Sequence, residues 1–290
     1  MKKTLALLLL LLLALSACAA LADQYPGERP WTLYMIDNGT VSDFDGNDDE
    51  EAYTLATSLD EYGDGSFTIT VDGQSFTQEN CCMLADEVYI IPIGWEDDEG
   101  GAPYIYATLF MVSEYGPSDD PLTYCYLYTA GQLFDVGVIP SLPDDMTLDG
   151  KVGMITTSVR ADMIGTWHRP ADYILAWGVK WSDDYESAET YNRIVEVPRP
   201  IYPMGMIVTL RQELPLMASQ TDRVFSANLA AGQQVILAAT DDVRWLYVTS
   251  MDGLTRGWVR MSSVDWEQKI TVGDRDVPVN DVFDGIVYAD

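Results

Sequence analysis

Apolar and polar residues alternate with a period of two along much of this chain, and turn-forming residues break the alternation at intervals. Residues 66–71, Ser-Phe-Thr-Ile-Thr-Val, place every second side chain on one face, and Asp72-Gly73 then turns the chain into residues 74–77. Two such runs around an Asp-Gly pair predict a hairpin. The same pattern predicts strands over residues 31–36, 51–59, 88–93, 104–113, 122–128, 132–139, 152–159, 173–179 and 207–214, with Ala130-Gly131 as a second hairpin turn. No stretch sustains an apolar period of 3.6, so little helix is expected, and residues 183–189 are the one place for a helical turn or two. The predicted class is all-β.

The N-terminus breaks this pattern. Lys2 and Lys3 precede an apolar run over residues 5–15, followed by small residues. This is the charged, apolar and small-residue order of an export signal, and the run is too short for a spanning helix. Leu15-Ser16-Ala17-Cys18 resembles the bacterial lipobox, which implies acylation of Cys18 and anchoring by lipid. The protein would then sit on the extracytoplasmic face of the cell membrane, in a Gram-positive envelope. The alternative is an ordinary secretory signal cut after Ala20 or Ala22. Multiple acyl chains hold stably to a bilayer because each buried CH₂ contributes about 0.8 kcal/mol. A second break is Val197-Pro-Arg-Pro-Ile-Tyr-Pro203, a stiff joint poor in hydrogen-bond donors. The expected divisions are therefore residues 1–22 as signal and start of the tether, 23–196 as a β-rich domain, 204–266 as a smaller module, and 267–290 as a β extension that returns to the sheet of the first domain.

Charge narrows the choice of partner. The chain carries 46 acidic and 16 basic side chains, a net charge of −30, and loss of Lys2 and Lys3 with the signal takes it to −32. Such a surface repels nucleic acid and anionic headgroups and attracts divalent cations. The 48% hydrophobic content argues against disorder. Cys81, Cys82 and Cys125 remain once Cys18 is set aside, so an exported chain could join Cys125 to Cys81 or Cys82 and leave one thiol over. The lack of a C-x₂-C pair, with His168 as the sole histidine, argues against zinc.

The densest acidic stretch is Val-Ser-Asp-Phe-Asp-Gly-Asn-Asp-Asp-Glu-Glu from Val41 to Glu51. Oxygen side chains at Asp43, Asp45, Asn47, Asp49 and Glu51, with Gly46 among them, can wrap a hard cation such as Ca²⁺. The glycine stands at position 4 and no glutamate stands at position 12, so the loop is not an EF-hand. It resembles the calcium loops of FG-GAP or VCBS-type repeats over about 30 residues, departing where Asp48 replaces a glycine. That resemblance implies a degenerate β-propeller-like or irregular β domain with a structural Ca²⁺. The alternative is a solvated acidic turn, built of the residues turns use anyway. A weaker echo of the layout, strand then acidic loop then strand, recurs around residues 95–101, about 55 residues later.

Beyond the joint, four landmarks follow one another: Leu216-Met-Ala-Ser, Asn228-Leu-Ala-Ala-Gly, Trp245-Leu-Tyr-Val and Gly257-Trp-Val. They resemble the bacterial SH3-like (SH3b) module, a small β-barrel. The resemblance implies recognition of peptidoglycan or of a surface protein, with Tyr247 and Trp258 as contacts. An equally open alternative is that the module is a spacer and that both rings are core aromatics. The whole arrangement resembles surface lipoproteins of gut Gram-positive bacteria.

Catalytic signatures are absent. The chain has no Gly-x-Ser-x-Gly elbow, no phosphate-cradling Gly-x-x-x-x-Gly-Lys and no His-Glu-x-x-His. A cysteine hydrolase needs a base beside its thiolate, and His168 in Trp-His-Arg-Pro reads as a surface or packing residue. A glycosidase needs only two carboxylates, which any chain with 46 acids supplies by chance. The expected function is non-catalytic binding at the cell surface. The alternatives are a spacer or accessory subunit of a membrane complex, and a cell-wall hydrolase or glycosidase.

Overall fold

In a computed structural model of the chain, residues 32–95, 104–117, 120–149, 153–181, 188–221, 224–263 and 267–288 are described. The export signal, Cys18 and most of the acidic loop at residues 95–101 lie outside them. Of residues 183–189, only Ala188 and Glu189 are described, and both are strand. Among the described residues no helix is long and apolar enough to cross a membrane.

The fold is all-β, built of antiparallel sheets. Two short strands come first, β1 (Tyr34–Ile36) and β2 (Val41–Ser42), and then β3 (Glu51–Leu59), β4 (Gly65–Val71) and β5 (Gln74–Cys81). Strands β2 to β5 form a four-stranded meander, with Ser42 opposite Glu51 where β2 meets β3. Next come β6 (Leu84–Trp95), β7 (Tyr104–Glu114), β8 (Leu122–Thr129) and β9 (Gln132–Ile139), which with β1 make a five-stranded sheet of order β1-β6-β7-β8-β9. A third sheet runs through β10 (Thr147–Asp149), β11 (Met154–Arg160), β12 (His168–Trp181) and β13 (Ala188–Val197).

A core fills the space between the first two sheets. Tyr53, Phe67, Ile69 and Val71 meet Val88, Phe110, Val112, Tyr124, Tyr126 and Tyr128, all buried. Period two produces this directly: the even-numbered tyrosines of β8 face this core, and Cys125 between them faces the other side of the sheet. Cys81 belongs to the core with the tyrosines. Cys81, Cys82 and Cys125 stand as free thiols here, and Cys81 and Cys125 lie on opposite faces of the five-stranded sheet, Cys81 on the core side and Cys125 on the other.

The chain divides into two compact units, one of Met1–Thr157 with Asp172–Glu196, the other of Ser158–Ala171 with Val197–Asp290. The second unit holds β14 (Tyr202–Leu210), β15 (Leu214–Met217), β16 (Phe225–Leu229), β17 (Gln234–Thr240), β18 (Trp245–Ser250), β19 (Arg256–Ser263), β20 (Lys269–Val272), β21 (Arg275–Pro278) and β22 (Phe283–Asp284). The main path is β16-β15-β19-β18-β17-β14-β22, with β20 joined to β19 and β21 to β20. The C-terminal extension therefore completes this sheet, through β20 on β19 and β22 on β14, not a sheet of the first domain. The sheet also stays open where a small closed barrel was expected. Its inner face is filled by side chains from outside the expected module, Met163 and Ile164 from Ser158–Ala171 and Val279, Val282 and Phe283 from the C-terminus.

Candidate cation site at the acidic loop

Residues 43–50 join β2 to β3, and an aromatic ring anchors them. Phe44 is buried against Phe110, ring centroids 5.0 Å apart in an edge-to-face pair, a contribution of roughly 1.5–3 kcal/mol. Its carbonyl accepts a bond from the Thr108 hydroxyl at 2.7 Å. Gly46 has φ +72°, and a Cβ there would overlap the carbonyl oxygen of Ile105, so only glycine fits this close approach.

Asp43 shapes the loop from within. Its Oδ1 accepts from the backbone N–H of Gly46 and Asn47 at 2.6 and 3.2 Å, and its Oδ2 from Asp48 at 3.1 Å. Asn47 closes a smaller turn by accepting from the N–H of Asp49 at 2.7 Å. Asn47 and Asp49 are exposed, whereas Asp45 and Glu51 are buried, with relative exposures of 5% and 3%.

One oxygen each from Asp43, Asp45 and Glu51 lies within 4.8 Å of the others. Asp45 Oδ2 accepts from the N–H of Gly131 at 2.6 Å, and Glu51 Oε2 from the N–H of Phe44 at 2.7 Å. Asp45 Oδ1 is buried without a hydrogen-bond partner. Burial, ahead of the neighbouring Asp45, Asp43 and Asp72 charges, raises the pKa of Glu51 despite the Phe44 bond. Each pair of charges at this separation repels by about 3 kcal/mol at a near-surface dielectric, as much as Phe44 burial returns at most. Three converging carboxylates could hold a metal ion.

Of the five expected ligands, the side chains of Asp43, Asp45 and Glu51 come together, the carboxylate of Asp49 is not among them, and Asn47 Oδ1 accepts from the N–H of Asp49. The β8–β9 turn completes the site, which no sequence pattern announced. Gly131 supplies the N–H to Asp45, and Gln74 holds that turn in place, donating to the Gly131 carbonyl at 2.5 Å and accepting from the N–H of Leu133 at 3.2 Å. Buried Tyr128 also stands beside the cluster: after burial, the charges of Glu51, Asp72 and Asp45 raise its pKa. Asp72 reads in the sequence only as a hairpin-turn residue.

The other expected site residues lie elsewhere. Tyr247 and Trp258 are cross-strand partners on β18 and β19, ring centroids 4.9 Å apart. His168 opens β12 and is exposed. Burial followed by the Glu114 charge raises Cys81 to about 11. Burial raises Cys125 as well, and burial with a hydrogen bond to Asp64 raises Cys82. All three thiols are shifted away from the thiolate that nucleophilic chemistry needs.

Comparison with known proteins finds no matching family model, curated protein or solved structure.

Proposed function

We propose that this protein is a non-catalytic surface lipoprotein, anchored through Cys18 at the extracytoplasmic face of a Gram-positive membrane. Its first unit is locked by a structural Ca²⁺ between Asp43, Asp45 and Glu51. Its second unit is the recognition module, directed at peptidoglycan or a surface protein through Tyr247 and Trp258. The observation that carries the cation is the orphaned, buried Asp45 Oδ1 among three converging carboxylates.

The donor set favours calcium. An ion centred among three oxygens at most 4.8 Å apart sits no more than about 2.8 Å from each, a ring that admits the 2.3–2.6 Å of Ca²⁺ contacts, and Mg²⁺ is seldom held by a cage of protein carboxylates alone. Water would supply the remaining oxygens.

Thermal unfolding of the full chain in millimolar Ca²⁺ and in EDTA tests this. A hundredfold excess over Kd stabilises by about 2.7 kcal/mol, which raises the midpoint of the first unit by roughly 5–10 °C. Asp45→Asn should abolish the shift. Equal midpoints in Ca²⁺ and EDTA would overturn the cation site. Co-sedimentation with purified peptidoglycan sacculi tests the recognition role separately.

A further inference from the structure

On β19 the side chains alternate strictly. Gly257, Val259 and Met261 turn into the core, and Arg256, Trp258 and Arg260 turn outward. On β18, Leu246 and Val248 turn inward, and Trp245, Tyr247 and Thr249 outward. Register places Trp245 beside Arg260, Tyr247 beside Trp258 and Thr249 beside Arg256. The outcome is an aromatic field, with the Tyr247 and Trp258 rings tilted 55° to each other, closed at either end by an arginine. Phe225, 48% exposed, extends the same row across Met217.

These arginines are unusual in their surroundings. The chain has 46 acids for 16 bases, yet among the described residues neither Arg256 nor Arg260 meets a carboxylate at ion-pair distance. A guanidinium is a rigid fork for a carboxylate and is weakly hydrated. Four strand steps set the Cα atoms of Arg256 and Arg260 about 13 Å apart, with stacking surface between them.

The face selects among anionic partners. Strand β18 is hydrogen-bonded on both sides, to β17 and β19, and β19 lies between β18 and β15. A peptide therefore finds no open edge at these two strands on which to add. Nucleic acid carries a phosphate about every 3.4 Å of each strand, too dense a charge for a body of −30. Apolar ring faces with carboxylates spaced by two or three residues match what is displayed. Resting on the recognition role proposed above, we infer that the outer face of β18 and β19 binds a carboxylate-bearing polysaccharide, its sugar rings stacked on Tyr247 and Trp258 and its carboxylates held by Arg256 and Arg260.

The test is affinity of the full chain for hyaluronan, which has a carboxylate on every second sugar, against dextran, poly-L-glutamate and a single-stranded oligonucleotide. Hyaluronan should bind at least tenfold more tightly than any of the three. Trp258→Ala and the doubly reversed R256E/R260E should each lower that affinity at least tenfold. R256E/R260E keeps the test valid if Trp258→Ala misfolds, because Arg256 is exposed and Arg260 points outward, away from the core. No binding to hyaluronan, equal binding to poly-glutamate or the oligonucleotide, or full affinity in R256E/R260E would each overturn the inference. Sacculus sedimentation separates the two readings: sacculus binding without hyaluronan binding refutes this ligand and leaves the recognition role, and hyaluronan binding without sacculus binding keeps this ligand and removes peptidoglycan as the target.

Discussion

Each unit buries carboxylates, and among the described residues the two surround them differently. In the second unit, Asp242 accepts from Arg169 Nε at 2.7 Å and from the N–H groups of Asp162 and Met163 at 3.1 Å each. Its charge is balanced within the chain by an arginine whose side chain is only 13% exposed. In the first unit, Asp45 and Glu51 are as deeply buried, each with one backbone N–H, and no cationic side chain pairs with either among the described residues. With 16 bases for 46 acids, most acids of this chain have no basic side chain of their own to pair with. Where the internal cation is missing, desolvation is offset by protonation, the direction in which the pKa of Glu51 is shifted, or by a cation from solution.

The largest effect expected from this contrast is in the second unit. Arg169→Ala should cost about 3–5 kcal/mol at pH 7, since it leaves Asp242 buried and unbalanced; urea unfolding followed through Trp245 and Trp258 fluorescence measures it. Burial already raises the pKa of Asp242 above the ordinary 3.8, with Arg169 opposing that rise. Removing Arg169 raises it further, so the folded variant binds a proton that the unfolded chain releases above about 3.8. The loss should therefore shrink as pH falls from 7 toward 5. A loss independent of pH would mean that Arg169 acts by packing alone.

A smaller effect, opposite in sign, is expected in the first unit. Glu51→Gln removes a charge that the fold disfavours while keeping an oxygen for the Phe44 N–H. In EDTA at pH 7 its melting point should exceed that of the unaltered protein by on the order of 3 °C, the equivalent of about 1 kcal/mol. In Ca²⁺ the order should reverse, because the variant has lost a ligand. Failure of the two curves to cross would sink the claim that Glu51 faces the ion.

The smallest effect sharpens the site itself. The double variant of Asn47→Ala and Asp49→Ala should change stability by no more than about 0.5 kcal/mol per position and leave the calcium response intact. A lost response would restore the five-ligand loop.

Some of this was open to the sequence because it is local. Period-two alternation and turn residues are properties of neighbouring positions, and β4, β8 and β9 fall within a residue or so of where that pattern predicts them. Strand β14 begins at Tyr202, five residues before its expected start, with Pro203 inside it. Pairing with β17, including a register shift between Pro203 and Met206, overrides a local signal that reads as a joint.

What the amino-acid order determined unaided was the all-β class and the crowding of carboxylates after β2, because both follow from the spacing of side chains along the backbone. Tertiary structure alone decided which oxygens converge, since that depends on Phe44 docking on Phe110 and on Gly131 arriving from 86 positions away to meet Asp45. It decided likewise that Met163 and Ile164 would fill the core of the second unit. Contacts between distant segments are set by which surfaces bury together, and no spacing along the chain encodes that.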